Sequence, residues 1–143
     1  MTESELDGYP IDGSCQCGQV TYRVKSSPIF VTACHCTECQ KQSASAFGIS
    51  MGLTPEALEI DGELKFWERT GDNGNISRAH FCPDCGVRIF HTNPDRPEFI
   101  RLRPGTLSKT AIVNPTLHVW VSQKQAWVII PDGVEQHETQ PEY

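Results

Sequence analysis

Short apolar–polar runs dominate the chain, and nearly all of them read as strands. Gln19-Val20-Thr21-Tyr22-Arg23-Val24 alternates with period two and is broken by Ser26-Ser27-Pro28. Residues 29–33 form a second strand candidate that delivers the chain into Cys34. Residues 37–46 have helix-compatible composition, with Thr37 as a candidate cap, and are the one helix expected. Residues 47–53 are largely apolar and stop at Thr54-Pro55. Residues 57–60 and 64–67 flank Asp61-Gly62, a dipeptide that predicts a hairpin with a primed turn. Residues 76–81, 87–91, 99–102, 117–121 and 126–130 supply five more strand candidates, separated by Gly, Pro, Asn and Asp.

Many short strands with turn signals between them predict a mainly β, sandwich-like domain rather than βαβ units. The 143 residues suit one domain. Residues 1–12 read as an acidic, flexible lead-in, 13–130 as the domain, and 131–143 as a polar, disordered tail. Eleven Gly, ten Pro and a hydrophobic share of 38% leave a modest core, so metal staples are expected to supplement it. The formal charge is −6 and no run of Lys or Arg occurs, which argues against a nucleic-acid partner held by a basic face. No apolar stretch approaches the length of a membrane span, and residues 1–10 lack the apolar centre of a signal peptide. A cytoplasmic setting is expected, where thiols stay reduced. The seven cysteines, an odd number, then point to metal or catalysis rather than disulfides.

The cysteines fall into three clusters. Cys82-Pro83-Asp84-Cys85-Gly86 has knuckle spacing, in which a short turn aims backbone N–H groups at the sulfurs and Gly accepts the required backbone angles. It supplies two ligands and needs a partner pair, which Cys15-Gln16-Cys17-Gly18 provides. That pairing predicts a closed four-thiolate structural zinc site and leaves Cys34, Cys36 and Cys39 together. No regular helix or strand points those three the same way, but a turn running into a first helical turn does. Three ligands is the count of a catalytic zinc, which keeps one position open. A second structural zinc completed by His35 or another histidine, and an iron–sulfur site, are the competing readings.

His80, His91 and His118 fall on strand candidates, where packing is their usual role. Trp67, Trp120 and Trp127 read as core or pocket wall. Glu38 is a candidate general base or a solvated helix-start carboxylate. Arg78, Arg88, Arg101 and Arg103 are candidates for an anionic ligand or for strand-face solubility.

G-S-C-x-C-G, then C-H-C-x-x-C, then F-C-x-x-C-G, with R-P-G-T-L and a late H-x-W…W, resembles the glutathione-dependent formaldehyde-activating enzyme family over roughly residues 13–127. The resemblance implies a mostly β, Mss4-like fold of coiled sheets with one short helix. It also implies two zinc ions per chain. Cys15, Cys17, Cys82 and Cys85 would hold the structural ion, and Cys34, Cys36 and Cys39 a second, catalytic and labile one. The implied activity is that of S-(hydroxymethyl)glutathione synthase, a carbon–sulfur lyase whose partners are a small thiol such as glutathione and a small carbonyl compound. The sequence departs from many relatives at Gln40, where Arg is common, and at Ala44, where Gly is common. A non-catalytic zinc module docking a protein, and a thiol/zinc redox sensor, are the alternative functions. A homodimer formed through a sheet edge is a further expectation.

Overall fold

The computed structural model describes residues 8–141. Eleven strands, one α-helix and four single-turn 3-10 helices make up the regular structure of the described residues, so the mainly β expectation holds. The strands divide into a three-stranded antiparallel sheet, β1 (Ile11–Ser14), β2 (Thr21–Val24) and β5 (Leu58–Asp61), in the order β1-β2-β5, and an eight-stranded sheet. The larger sheet contains β3 (Phe30–Cys34), β4 (Gly48–Leu53), β6 (Lys65–Thr70), β7 (Ile76–Phe81), β8 (Arg88–Thr92), β9 (Ile100–Leu102), β10 (Leu117–Val119) and β11 (Glu135–Gln136). Its order is β11-β10-β3-β4-β9-β8-β7-β6, with β10 parallel to both β3 and β11.

The core lies between the sheets and follows from strand alternation. In β1 and β2 every second residue is buried, so Ile11, Tyr22 and Val24 face Met51, Leu53, Ile89, Phe90 and Leu102 of the large sheet. Each such side chain contributes about 1.5–3 kcal/mol when fully buried. Cys15 and Cys82 belong to this same cluster, so the metal-ligand candidates are built into the core.

Four expectations are corrected. Tyr9 and Ile11 are buried core residues, and Ile11 opens β1, so the part of the 1–12 lead-in that is described is structured; residues 1–7 lie outside the described residues. Asp61-Gly62 does not close a hairpin: β5 pairs with β2 while β6 pairs with β7, each in a different sheet. The Gln19 side chain holds the crossing, accepting from Glu63 N and donating to Glu63 O at 3.0 Å. Gly62 passes so close to the Gln19 carbonyl, at φ +112°, that a side chain there would strike backbone. Residues 126–130 form no strand, because the neighbouring position on β10 is taken by β11 from the expected disordered tail. Trp127 is 71% exposed and is not core, while Trp67, 55% exposed, takes the pocket-wall role of the two expected for it.

Helix α1 (Thr37–Ser43) ends at Ala44, which sits in the left-handed region at φ 52°. Glycine is the residue that adopts this conformation without steric cost. Ala44→Gly is therefore expected to stabilise the protein by about 0.5–1 kcal/mol, read as a thermal midpoint about 1–4 °C higher. An unchanged or lower midpoint would show that the helix end carries no strain.

Candidate metal centres

The turn between β1 and β2 and the turn between β7 and β8 meet head to head. Cys15 and Cys17 come from the first, Cys82 and Cys85 from the second, and their four sulfurs lie within 4.8 Å of one another. Matching backbone bonds close the two knuckles, Cys15 N to Val20 O at 3.1 Å and Cys82 N to Val87 O at 3.0 Å. A glycine at positive φ follows each, Gly18 at +82° and Gly86 at +79°. Cys15 Sγ and Cys17 Sγ are 3.6 Å apart, and Cys17 Sγ and Cys82 Sγ 3.7 Å. Four sulfurs at about 2.3 Å from one tetrahedral ion stand about 3.8 Å apart, so the spacing fits zinc. N–H donors surround the set: Val20 N reaches Cys15 Sγ and Gln19 Nε2 reaches Cys82 Sγ, each at 3.3 Å. Such donors stabilise sulfur charge. A metal held by this set would staple the small sheet to the large one.

The second set forms where β3 runs into α1. Cys34 is the last residue of β3, Cys36 is the helix N-cap, and Cys39 lies in the first helical turn. All three sulfurs lie within 4.8 Å of one another, as the turn-into-helix geometry predicts. Cys36 Sγ accepts from Cys39 N at 3.3 Å, and Gln42 Nε2 donates to Cys39 Sγ at 3.3 Å. The Cys36 thiol is pulled down to about 2 by hydrogen bonds from Cys34 and Cys39, helped by the backbone N–H groups of Cys39 and Glu38. The Cys34 thiol is pushed up by its bonds to Cys36 and Cys39 and by burial. Crowding the sulfurs makes their proton losses interdependent, and the backbone N–H groups at the helix start favour a thiolate within the set.

No fourth His, Cys, Asp or Glu donor joins this set among the described residues. His35, between two of the cysteines, alternates to the opposite side. It is fully buried, with His35 Nε2 2.8 Å from His118 Nδ1 and its ring 5.1 Å from that of Phe47. Burial lowers the affinity of both imidazoles for a proton, so the pair shares one N–H rather than carrying charge. The parallel register Val119↔Cys34 and the bond His35 N to Val119 O at 3.0 Å put β10 beside the site.

Three glutamines lock the helix start. Gln123 Oε1 accepts from Thr37 N at 2.8 Å. Gln40 Nε2 donates to His35 O at 2.9 Å and to Gln123 O at 3.1 Å, while its Oε1 accepts from Gln125 Nε2 at 3.1 Å. Gln40, the departure from the Arg of many relatives, therefore serves as a brace between α1 and residues 121–125.

The cations divide. Arg103 donates to Ser50 Oγ at 3.2 Å and passes over Gly48, where an added Cβ would lie 2.5 Å from its guanidinium nitrogen. Burial weakens its hold on the proton, and the charge of Cys39 restores part of it. Arg88 Nη1 donates to Gln42 Oε1 at 3.1 Å. Arg78 pairs with Glu68 at 2.8 Å and lies over the Phe66 ring, so it serves the sheet surface. Arg101 is exposed. Burial and the charges of Arg103 and Arg88 push His91 down to about 3, which keeps it neutral. His80 meets Thr92 Oγ1 at 2.8 Å and stacks on Phe90, a packing role. Glu38 is exposed and faces Arg69 at 3.9 Å, the solvated role rather than a defined base. Gln19 and Gln42, which bond ligand-candidate sulfurs, escaped the sequence reading. Gln42 carried one usable signal: it lies one helical turn after Cys39, on the same face.

A mainly β domain that presents one closed cysteine set and one open set is a cysteine-rich fold with two candidate metal centres. Residues 10–123 match the family described as glutathione-dependent formaldehyde-activating enzyme, and the chain belongs to that family. A Halomonas elongata protein provisionally named as a glutathione-dependent formaldehyde-activating enzyme is 27% identical over 137 residues, covering 84% of this chain and 80% of its own length. A crystal structure of a Rhodobacter sphaeroides protein shares the fold, with a TM-score of 0.55, 22% identity, and coverage of 73% of this chain and 92% of its own. The family name denotes an enzyme acting on formaldehyde and glutathione. Among the described residues no helix is long and apolar enough to cross a membrane, and all seven cysteines are free thiols.

Proposed function

We propose that this protein is a zinc-dependent enzyme that makes or breaks a carbon–sulfur bond, joining a small thiol such as glutathione to formaldehyde. The observation that supports this most directly is the three-sulfur set at the start of α1, one donor short of a closed tetrahedron. Cys34, Cys36 and Cys39 would hold the catalytic ion, and Cys15, Cys17, Cys82 and Cys85 the structural one. When bound at the open set, zinc supplies a place where a thiol gives up its proton at neutral pH. The sulfur lone pair then adds to the carbonyl carbon, the C=O π bond moves onto oxygen, and the released proton returns to that oxygen. The product is an S-hydroxymethyl thiol, and the reverse path frees both reactants. Three cysteine ligands already carry negative charge, so the site suits delivery of the thiol better than polarisation of the carbonyl. Gln42 and the amide of Cys39, by donating to the sulfurs, temper that charge. A reducing, cytoplasmic compartment would keep the seven thiols available.

Native mass spectrometry of the reduced protein tests the reading. The expected result is two zinc ions per chain and, with glutathione added, a further mass of one glutathione. Two zinc ions with no glutathione uptake would overturn it and favour two purely structural sites.

A further inference from the structure

A cavity of about 220 Å³, lined by Glu38, Lys41, Gln42, Trp67, Arg69, Ser77 and Arg88, opens next to the three-cysteine set, which it meets through Gln42. Its walls come from α1, β6, β7 and β8. Three of the lining residues are cations and one is an anion, and that anion, Glu38, already faces Arg69 at 3.9 Å. Arg88 is half-buried, and no carboxylate pairs with it among the described residues. Burying a guanidinium without a counter-charge is costly unless something anionic completes it. Its position is fixed rather than loose. One guanidinium nitrogen is tied to Gln42 Oε1 at 3.1 Å, and the group lies 6.0 Å from the Trp67 ring.

The same Gln42 side chain donates to Cys39 Sγ at 3.3 Å. One amide group therefore spans the gap between a sulfur of the open set and the Arg88 guanidinium. Adding the two hydrogen bonds to the width of an amide places the guanidinium no more than about 9 Å from that sulfur. A peptide-like thiol, whose carboxylate lies several bonds from its sulfur, can span a gap of up to that length.

We infer that Arg88, held by Gln42 and backed by Trp67, is a specificity-determining residue that receives the carboxylate of an extended, anionic thiol whose sulfur lies at Cys34, Cys36 and Cys39. This rests on the thiol-handling reading above and adds the residue that selects among thiols by their charge. Arg suits the role because its planar fork grips both carboxylate oxygens, which a lysine cannot do. Lys41 and Arg69 add positive charge around the mouth, and Glu38, bound to Arg69, excludes a second carboxylate from that side.

The test is calorimetric binding to the zinc-loaded protein of glutathione and of glutathione diethyl ester, which keeps the thiol but masks the carboxylates. The wild type is expected to bind glutathione about tenfold or more tightly than the ester. In Arg88→Met the preference should disappear through lost glutathione affinity, with ester binding unchanged, and Arg88→Lys should recover only part of it. Equal binding of the two ligands by the wild type would overturn the inference while leaving the thiol reading intact, and it requires no variant. A preference that survives in a folded Arg88→Met protein would overturn it too. Failure of both ligands to bind would remove both the inference and the function on which it rests.

Discussion

Cys82→Ser is expected to cost the protein most of its folded population. Cys82 is wholly buried within the core cluster, and it ties the end of β7 to the turn that carries Cys15 and Cys17. Serine removes one of four thiolates and leaves a poor ligand inside an apolar environment, with Gln19 Nε2 facing a weaker acceptor. Structural zinc contributes about 10–16 kcal/mol to small folds in peptide systems, against a total stability of about 5–15 kcal/mol for a domain. Loss of even a third of that contribution would consume much of the margin. The expected result is a thermal midpoint lower by about 10–20 °C, or insoluble protein, with the metal content reduced by one. A soluble Cys82→Ser protein that melts within a few degrees of wild type and keeps both metals would show that the four sulfurs are packing rather than ligating.

The cysteine plan was legible because covalent spacing sets it. A glycine after each knuckle and a two-residue reach between Cys82 and Cys85 permit few geometries, so the division into four and three could be read directly. The placement of strands in sheets was less legible. Asp61-Gly62 has the local chemistry of a hairpin, yet long-range contacts from Gln19 send its two flanks into separate sheets. Periodicity carries no information about such a partner. Residues 126–130 are more strand-like than Glu135–Gln136, but the chain turns through Lys124 Nζ to Val128 O at 2.7 Å and Val128 N to Gln125 O at 3.1 Å, leaving Ile129 89% exposed. Two polar residues complete the sheet instead, because an edge strand needs backbone groups more than apolar side chains.

The candidate site was legible for its ligands and illegible for its surroundings. A ligand set clustered within six residues can be seen in one dimension. Arg88 and Arg103 could be named as cations, but only β8 and β9 pairing brings them near α1. Tyr9 and Ile11 were hidden for the opposite reason: an acidic neighbourhood masked two buried side chains.

Cys36→Ser is expected to abolish activity without abolishing the fold, and the contrast with Cys82→Ser is what makes the pair informative. Cys36 is the N-cap of α1, its sulfur accepting from Cys39 N at 3.3 Å. Serine is among the preferred residues at that position, so the hydroxyl can take over the cap bond and hold the helix start. The residue is half-buried at the junction of β3 and α1, outside the main core cluster. As a metal ligand, however, a neutral hydroxyl is far weaker than a thiolate at neutral pH. Changing a residue that only supports a ligand commonly costs 10–100-fold in metal affinity or activity, so losing one of three ligands should cost about a thousandfold or more. Circular dichroism and a thermal midpoint within a few degrees of wild type should accompany one metal per chain and no measurable conversion of glutathione and formaldehyde. A folded Cys36→Ser protein with near-normal turnover would remove the three-cysteine set from the chemistry. A folded, inactive one that has lost a single metal would separate the two centres, since the serine preserves the cap and deletes only the thiolate.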